Sequence, residues 1–529
     1  STSCTRCLGM PKSKASSSPA AYAGRDPSLA QVKSSFLLDT EHSQFDLLTV
    51  LTYLSSIATA NLSREQLCEG AAGLGYGPSP YFARVVNLVQ SLGYDYPHAC
   101  HVVSKSTPDE VMRQFLLRFG NSMASGEPES VFLARETHVI MEDYTNEYER
   151  GVESLRKWTD AFVALMVSCN LIVLVTLISN MIYNMGSIFM ISVEAVAIIA
   201  ASLGGYLIFR IAPYDPVVHK MEHKSSEQRR MSLLARIIFP TALLAAIGLY
   251  FVFGIAPALV VAGVLVLPVG ILAERLEAKV DARDRDIADF MRALGGVTGA
   301  RGSTVIESLG HIDRRAIGSL EPELKNLMTR IRCGINTTLA WRRFMAETGS
   351  ELVHRVVRAF WDGNDWGGDP EKIGGFSADM ALRVWLLRAK RKLVSTTFSY
   401  VVVPMHIALI GTLVFISEVV TAFNAKLVEA QDLASNENVS TIKPEDIGIP
   451  GALSFQSFDT DFIKNMVLAV ILALTAINAF APRAASGGHI HKVALFGAFT
   501  MVASGLILLL VPPVAQGMFS DTLSQPLGQ

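Results

Sequence analysis

The chain has 529 residues, half of them hydrophobic and only 18% charged, where a typical soluble domain is about 25% charged. Its length exceeds what one compact core usually holds, and a formal net charge of −2 gives no electrostatic reason to expect nucleic acid as a partner. Six cysteines in a chain of this size do not describe a disulfide framework.

Residues 1–35 are rich in Ser, Ala, Lys and Pro and contain no continuous apolar core, so they read as a disordered tail and not as a secretory signal. Cys4 and Cys7 form a lone CxxC without a second pair, and the tail reading is preferred to zinc. Residues 36–158 follow as a helical segment. Residues 159–273 then hold four apolar blocks, near 160–183, 187–209, 237–253 and 255–273, with a hinge expected at Gly254. A second helical segment covers 274–395. Three more blocks lie near 396–420, 462–481 and 491–511, and a tail covers 512–529. Each block approaches the roughly 20 residues that a helix needs to cross a bilayer while satisfying its own backbone.

Loop charge sets the expected direction. The loop after the second block carries Arg210, Lys220, Lys224, Arg229, Arg230 and Arg236, and the turn after the sixth carries Arg483 and Lys492. Loop 421–461 is acidic, with Glu429, Asp432, Glu437, Glu445, Asp446, Asp459 and Asp461. The basic side is cytoplasmic by the positive-inside rule. Seven spans then put the N-terminus inside, the C-terminus outside and both helical segments in the cytoplasm. The basic run Arg388, Lys390, Arg391, Lys392 reads first as a topology anchor. Asn438-Val439-Ser440 in the outer loop is an acceptor pattern for N-glycosylation.

The two helical segments resemble each other at a constant offset of 241 residues. Gly93 falls opposite Gly334, Ala99 opposite Ala340, Thr107 opposite Thr348, Glu110 opposite Glu351 and Phe119 opposite Phe360. Thr107 and Thr348 are expected to cap the helices that follow, with Glu110 and Glu351 reaching back. Ser63 with Gln66 and Thr304 with Glu307 offer two more cap pairs. Phe45–Ala60 and Ile287–Ala300 read as amphipathic helices that open each copy. The fold class is therefore an all-α polytopic membrane protein with two repeated helical bundles of about six helices each.

This arrangement resembles the type II secretion F-domain family, the inner-membrane platforms of type II secretion and type IV pilus systems. The resemblance spans about 40–511. It is carried by Gly299-Ala300-Arg301-Gly302-Ser303-Thr304-Val305-Ile306-Glu307-Ser308-Leu309, by Leu327 through Gly334 to Ala340, and by the segment at Thr348. The extra spans bring it closest to the platforms beneath an archaellum. Adhesion-pilus and secretion platforms share the outline, so they stay open as alternatives. The resemblance implies a non-enzymatic platform without cofactors, working as a homodimer. Its implied partners are a hexameric secretion-type ATPase in the cytoplasm, archaellin or pilin subunits, other motor components and membrane lipid.

No GxxxxGK[ST] loop, no Gly-Lys and no HExxH occurs in the chain. His98, Cys100 and His101 form one short cluster, read as ordinary surface. The acid and glycine run from Asp362 to Asp369 lacks the closing Glu of an EF-hand and reads as a mobile loop. Ser504 in the last span has no base evident in the sequence at its depth, and small-residue packing explains it better. Glu194 and His406 are ionisable residues inside spans. They are candidates for function by default, although two such groups make a poor midplane site for a secondary transporter. The best docking candidates for the ATPase are the arginines of the second bundle with their aromatic neighbour: Arg314, Arg315, Arg330, Arg332, Trp341, Arg342 and Arg343.

Overall fold

A computed structural model describes residues 43–183, 186–219, 221, 223–312, 314–436 and 460–523. Asn438 lies outside the described residues, as do Cys4 and Cys7. Among the described residues every regular element is helical, and one isolated bridge pairs Val218 with Ser350. Among the described residues seven helices are long and apolar enough to cross a membrane. The chain is a multi-pass all-α membrane protein, as the apolar blocks require.

Two compact units are distinguished. The first takes in the described residues up to Val50 and Ser63–Gly126. It holds the start of α1 (Ser43–Ala58), then α2 (Arg64–Ala72), α3 (Ser79–Leu92), α4 (Tyr96–Lys105) and α5 (Glu110–Ser125). Its core is aromatic: Phe115 lies 6.2 Å from Phe82 and 5.6 Å from Phe119, centroid to centroid. Helix α1 is not amphipathic, because nearly every residue from Leu47 to Ala58 is buried. Such a helix reads apolar all round and has no solvent stripe.

The second unit comprises Leu51–Leu62 and the chain from Glu127. Helix α6 (Glu129–Tyr183) is followed by α7 (Ser187–Ile211), α8 (Ser226–Phe253) and α9 (Ile255–Arg301). The second bundle is α10 (Val305–Leu309), a 3₁₀ turn at Arg314–Leu320, α11 (Glu321–Arg332), α12 (Thr337–Thr348) and α13 (Glu351–Asp365). Then come α14 (Pro370–Asn436), α15 (Thr460–Ser486), a 3₁₀ turn at Ile490–Lys492 and α16 (Val493–Leu523). Gly254, at φ 85°, separates α8 from α9 at the expected hinge. The α6 and α14 helices have 55 and 67 residues, roughly 80 and 100 Å at 1.5 Å per residue. A hydrocarbon core is about 30 Å thick. The boundaries expected at 158, 273 and 395 therefore fall inside unbroken helices, with no linker between bundle and apolar segment.

The apolar segments are inverted relative to a soluble bundle. Leu244, Phe251 and Val196 are 69%, 79% and 66% exposed, while His406, Asn478 and Ser504 are buried. Lipid favours this arrangement, since polar groups there find partners only inside the protein. Small residues bring α9 and α16 into close contact. A Cβ at Gly270 would come within 2.5 Å of the Leu495 backbone, and one at Gly505 within 2.7 Å of Ala256 O.

Four helix starts recur at the 241-residue offset. Helices α2, α4, α5 and α6 start at 64, 96, 110 and 129, and α10, α12, α13 and α14 start 241 residues later. Ser63 forms a full capping box with Gln66, and Thr304 accepts from Glu307 N. The other pair of caps is shifted by two residues. Asp109, not Thr107, accepts from Val111 N and Met112 N, and Ser350, not Thr348, accepts from Val353 N. The two threonine hydroxyls turn back instead to Val103 O and Met345 O, at 2.9 and 2.7 Å.

Candidate functional site: a charged joint between the second bundle and the membrane helices

Where α9 leaves its apolar segment it carries Glu274, Glu277, Asp281 and Asp284, spaced to share one helical face. Helix α14 approaches its own apolar segment with Arg388, Arg391, Lys392 and Ser395 on one face. The two stripes meet. Lys392 reaches Asp281 at 2.7 Å and Arg388 reaches Asp284 at 2.6 Å. Lys492, in the 3₁₀ turn that precedes α16, bridges Glu274 and Glu277 at 3.0 Å each.

Arg388 is the hub. Its Nε and Nη2 donate to both oxygens of Asp215 at 2.7 and 2.6 Å, and its Nη1 donates to Asp284. All three side chains are almost fully buried, at 8%, 2% and 1% exposed. Only a rigid guanidinium fork can serve two carboxylates in this way. Asp284 also accepts from the Ser350 hydroxyl, the N-cap of α13. One guanidinium thus ties the membrane-bound end of α14 to α9, to the segment after α7 and, through Ser350, to the second bundle.

Arg391 works at the next turn. It donates to Ala485 O at 3.0 Å, to Ala484 O at 3.4 Å and to Pro213 O at 2.6 Å. The first two are carbonyls of the last turn of α15, where a cation also meets the negative end of the helix dipole. On the bundle side, Arg283 donates to Thr348 O at 2.7 Å and to Glu323 at 2.6 Å, joining α9 to α12 and α11. Burial pushes the Glu323 carboxyl up, against the pull of Arg283.

The segment after α7 acts as a strap across the start of α13. Glu351 N donates to Val217 O at 3.1 Å and His219 N to Gly349 O at 3.4 Å. His219 Nδ1 accepts from Met221 N at 3.2 Å, which leaves the ring proton on Nε2 to donate to Ala346 O at 2.9 Å. Burial holds this imidazole below the usual histidine range. Beside the joint lies a cavity of about 300 Å³, lined by Asp215, Asp281, Arg388, Lys392, Ser399 and Lys492 among others. The arrangement is a network of carboxylates held by cations, largely buried at Arg388, Asp215 and Asp284, of the kind that rigidifies the elements it joins.

The docking candidates separate. Arg330 is partly buried and forked onto Glu347. Trp341 is fully buried, 5.5 Å from Trp361 and edge-on to Phe344, so its indole belongs to the core and cannot anchor a partner at the surface. Arg332 and Arg342 are exposed and Arg343 is half-buried. Arg314 and Arg315 lie in the 3₁₀ turn, and their side chains fall outside the described residues.

Glu194 is buried, and its Oε1 lacks a hydrogen-bond partner among the described residues. His406 does have neighbours at its depth. Asn478 Nδ2 donates to its Nδ1 at 3.0 Å, and its Nε2 faces Ser504 Oγ at 2.9 Å and Thr500 O at 3.3 Å. The sequence reading missed this imidazole beside Ser504. The Asn478 bond places the ring proton on Nε2, so His406 donates toward Ser504 and is not its base.

Among the described residues no three potential metal ligands converge. His98 stacks on Tyr94 and His101 faces Asn121. The run from Asp362 to Asp369 is not a loose loop: it completes α13, and Asp369 accepts from Glu371 N at 3.1 Å to start α14.

The joint is not legible in the sequence, where the run at 388–392 reads only as an anchor. A signal was present, since four acids of α9 share one face and so do the α14 cations, but their pairing is tertiary.

No family model matches the chain, and no solved structure matches it. Two curated relatives do. Flagella accessory protein J of Methanocaldococcus jannaschii is 25% identical over 296 residues, 54% of this chain and 53% of that protein. Flagella accessory protein J of Methanococcus voltae is 23% identical over 461 residues, 83% of this chain and 79% of that protein. The chain spans about half the length of the first relative and four-fifths of the second. With seven helices among the described residues long and apolar enough to cross a membrane, this chain is similar to the archaellum assembly protein J, at a distance of 23–25% identity.

Proposed function

We propose that this chain is the membrane platform of an archaellum, coupling a hexameric cytoplasmic ATPase to filament subunits without catalysing a reaction itself. Both bundles face the cytoplasm on this reading, because the basic loops flank them and the acidic loop 421–461 lies across the membrane. The platform works as a homodimer. ATP hydrolysis in the ring changes its shape. The second bundle takes up the displacement, and α9 and α14 carry it into the bilayer as rotation or piston motion.

The observation that carries this reading is the buried Arg388 joint with Asp215 and Asp284. A displacement of the bundle is transmitted to membrane helices only where the connection is stiff, and α9 and α14 enter the apolar region with no flexible linker. Similarity to two proteins named Flagella accessory protein J supports the archaellum over other filaments.

The test is co-purification of the ATPase with the full-length chain from native membranes, with and without Arg332→Glu, Arg342→Glu and Arg343→Glu. The reading expects recovery with the unaltered chain and loss with the triple variant. Equal recovery with both removes the second bundle as the docking surface.

A further inference from the structure

The apolar helices are not equally covered by protein. In α8, 11% of the most apolar stretch is buried, against 33–44% in the others among the described residues. Its inner face is marked by the buried Gln228, Met231, Ala235 and Ala242. Met231 clusters there with Ala273 and Leu276 of α9, and Ala235 and Ala242 with Val266 and Val269. At 3.6 residues per turn the opposite face carries Arg229, Arg230, Leu233, Arg236 and Ile237, then Leu244 and Phe251. All of these are exposed, Leu233 at 58% and Ile237 at 62%. One stripe therefore runs from the bare apolar surface of α8 into three arginines at its start.

These arginines have no anion. The cations of α14 are also on the surface, yet Lys390 is held by Glu149 and Lys392 by Asp281. On α8 none of Arg229, Arg230 and Arg236 forms an ion pair or side-chain hydrogen bond among the described residues. Glu227, the acid of that helix, is turned to Lys279 at 2.5 Å and to Arg283 at 3.6 Å. Depth identifies what lies opposite them. Ile237 to Phe253 contains no charged residue and is roughly 25 Å long at 1.5 Å per residue, close to the thickness of a hydrocarbon core. Arg236 then stands at the edge of the hydrocarbon, with Arg229 and Arg230 about 10 Å further out, at the level of the headgroups. Guanidinium forks suit phosphate oxygens two at a time. A soluble anion leaves Leu233 and Ile237 bare, whereas a phospholipid covers them with the same molecule that meets the charge.

We propose that Arg229, Arg230 and Arg236 form a binding site for the phosphate of an anionic phospholipid in the leaflet where α8 begins. This site is independent of the platform reading. The inner side of the same helical turn holds the second bundle, since Gln228 Nε2 donates to Gly349 O at 3.4 Å and Arg283, beside Glu227, donates to Thr348 O at 2.7 Å. A headgroup gripped on the outer side therefore fixes the height of that bundle against the membrane surface.

The test reads the melting temperature of the full-length chain in phosphatidylcholine nanodiscs carrying graded amounts of phosphatidylglycerol. It compares the unaltered chain with a single Arg230→Gln, with Arg229→Gln plus Arg230→Gln plus Arg236→Gln, and with the same three positions changed to Lys. Each variant is referred to itself in pure phosphatidylcholine, so a change in basal stability does not enter. Phosphatidylglycerol should raise the melting temperature of the unaltered chain. The fraction that gives half the rise should increase roughly fivefold for Arg230→Gln. The rise should vanish in the triple Gln variant and largely persist in the triple Lys variant. An equal rise in the triple Gln variant, or no rise in the unaltered chain, overturns the site. So does a loss in the triple Lys variant as large as in the triple Gln variant, because charge is then not what is read. A rise produced equally by excess inorganic phosphate in pure phosphatidylcholine nanodiscs overturns the lipid as its ligand.

Discussion

Glu149 on α6 is ion-paired with Lys390 on α14, and the two residues stand 241 positions apart, the offset that relates the two repeats. Glu142 and Arg383, two turns earlier on each helix, have the same separation and meet at 3.0 Å. Helices that touch at equivalent positions twice, in the same direction, run parallel and in register. In a true homodimer such positions would oppose like charges. Duplication within one chain frees one copy to be acidic and the other basic.

Reversal of one partner should expose this. Glu149→Lys faces Lys390 with a like charge, and adding Lys390→Glu restores the pair. Both side chains are substantially exposed, 43% and 58%, so the coupling expected from a double-mutant cycle is about 0.2–1 kcal/mol and is screened by salt. A coupling energy that does not change at high salt contradicts the pairing as drawn.

Arg388 should behave differently because it is buried. Arg388→Met leaves Asp215 and Asp284 without their cation, and loss of one partner from a buried pair costs roughly 3–5 kcal/mol. Thermal unfolding in detergent should show a large drop in Tm. Adding Asp215→Asn and Asp284→Asn should recover much of it, since the uncompensated charges are then gone. A triple variant no more stable than Arg388→Met would mean that packing, not charge, sets the loss.

Acid should loosen the strap after α7. His219 has its pKa below the ordinary value because it is buried. Glu351 and His354 on α13 face it with opposite effects, and the Ala346 carbonyl on α12 accepts its Nε2 proton. The neutral ring is the form that fits. Its contribution is therefore present above the unfolded histidine value, near 6.5, and is lost as pH falls through the lower folded value. The Tm difference between the unaltered chain and His219→Gln should narrow between about pH 8 and about pH 5. A constant difference across that range rules this role out.

Glycines on α9 and α8 should part company. Gly270→Leu drives a side chain into the Leu495 backbone and should lower Tm sharply through overpacking. Gly248→Ala meets nothing within 4 Å and should leave Tm unchanged or raise it, since Ala is the better helix former by about 1 kcal/mol. Equal losses in the two variants would contradict the close α9–α16 contact.

Much of this fold is legible in the residues because its signals are local. Apolar blocks mark the membrane helices, Gly254 marks the hinge, and Ser63 and Thr304 mark helix starts. The repeat is readable from Gly93 and Gly334, which both need a left-handed backbone. Local signals also mislead where two neighbours compete. Thr107 and Thr348 look like caps, but the residue two places on wins, because each threonine hydroxyl reaches a carbonyl of the preceding helix first. Trp341 read as a surface anchor among arginines. Ala340, Phe344 and Met345 around it share its buried face and were the better guide. The Arg388 joint was out of reach, since its partners lie 104 and 173 residues away and nothing along the chain says that they meet.

The measurement that bears most directly on the platform reading is a count of surface filaments by electron microscopy in cells lacking this gene, complemented with either the unaltered chain or Arg388→Met. The account predicts no filaments in the deletion, filaments restored by the unaltered chain, and few or none with Arg388→Met where that variant still reaches the membrane in normal amount. Normal filaments in the deleted cells would contradict it.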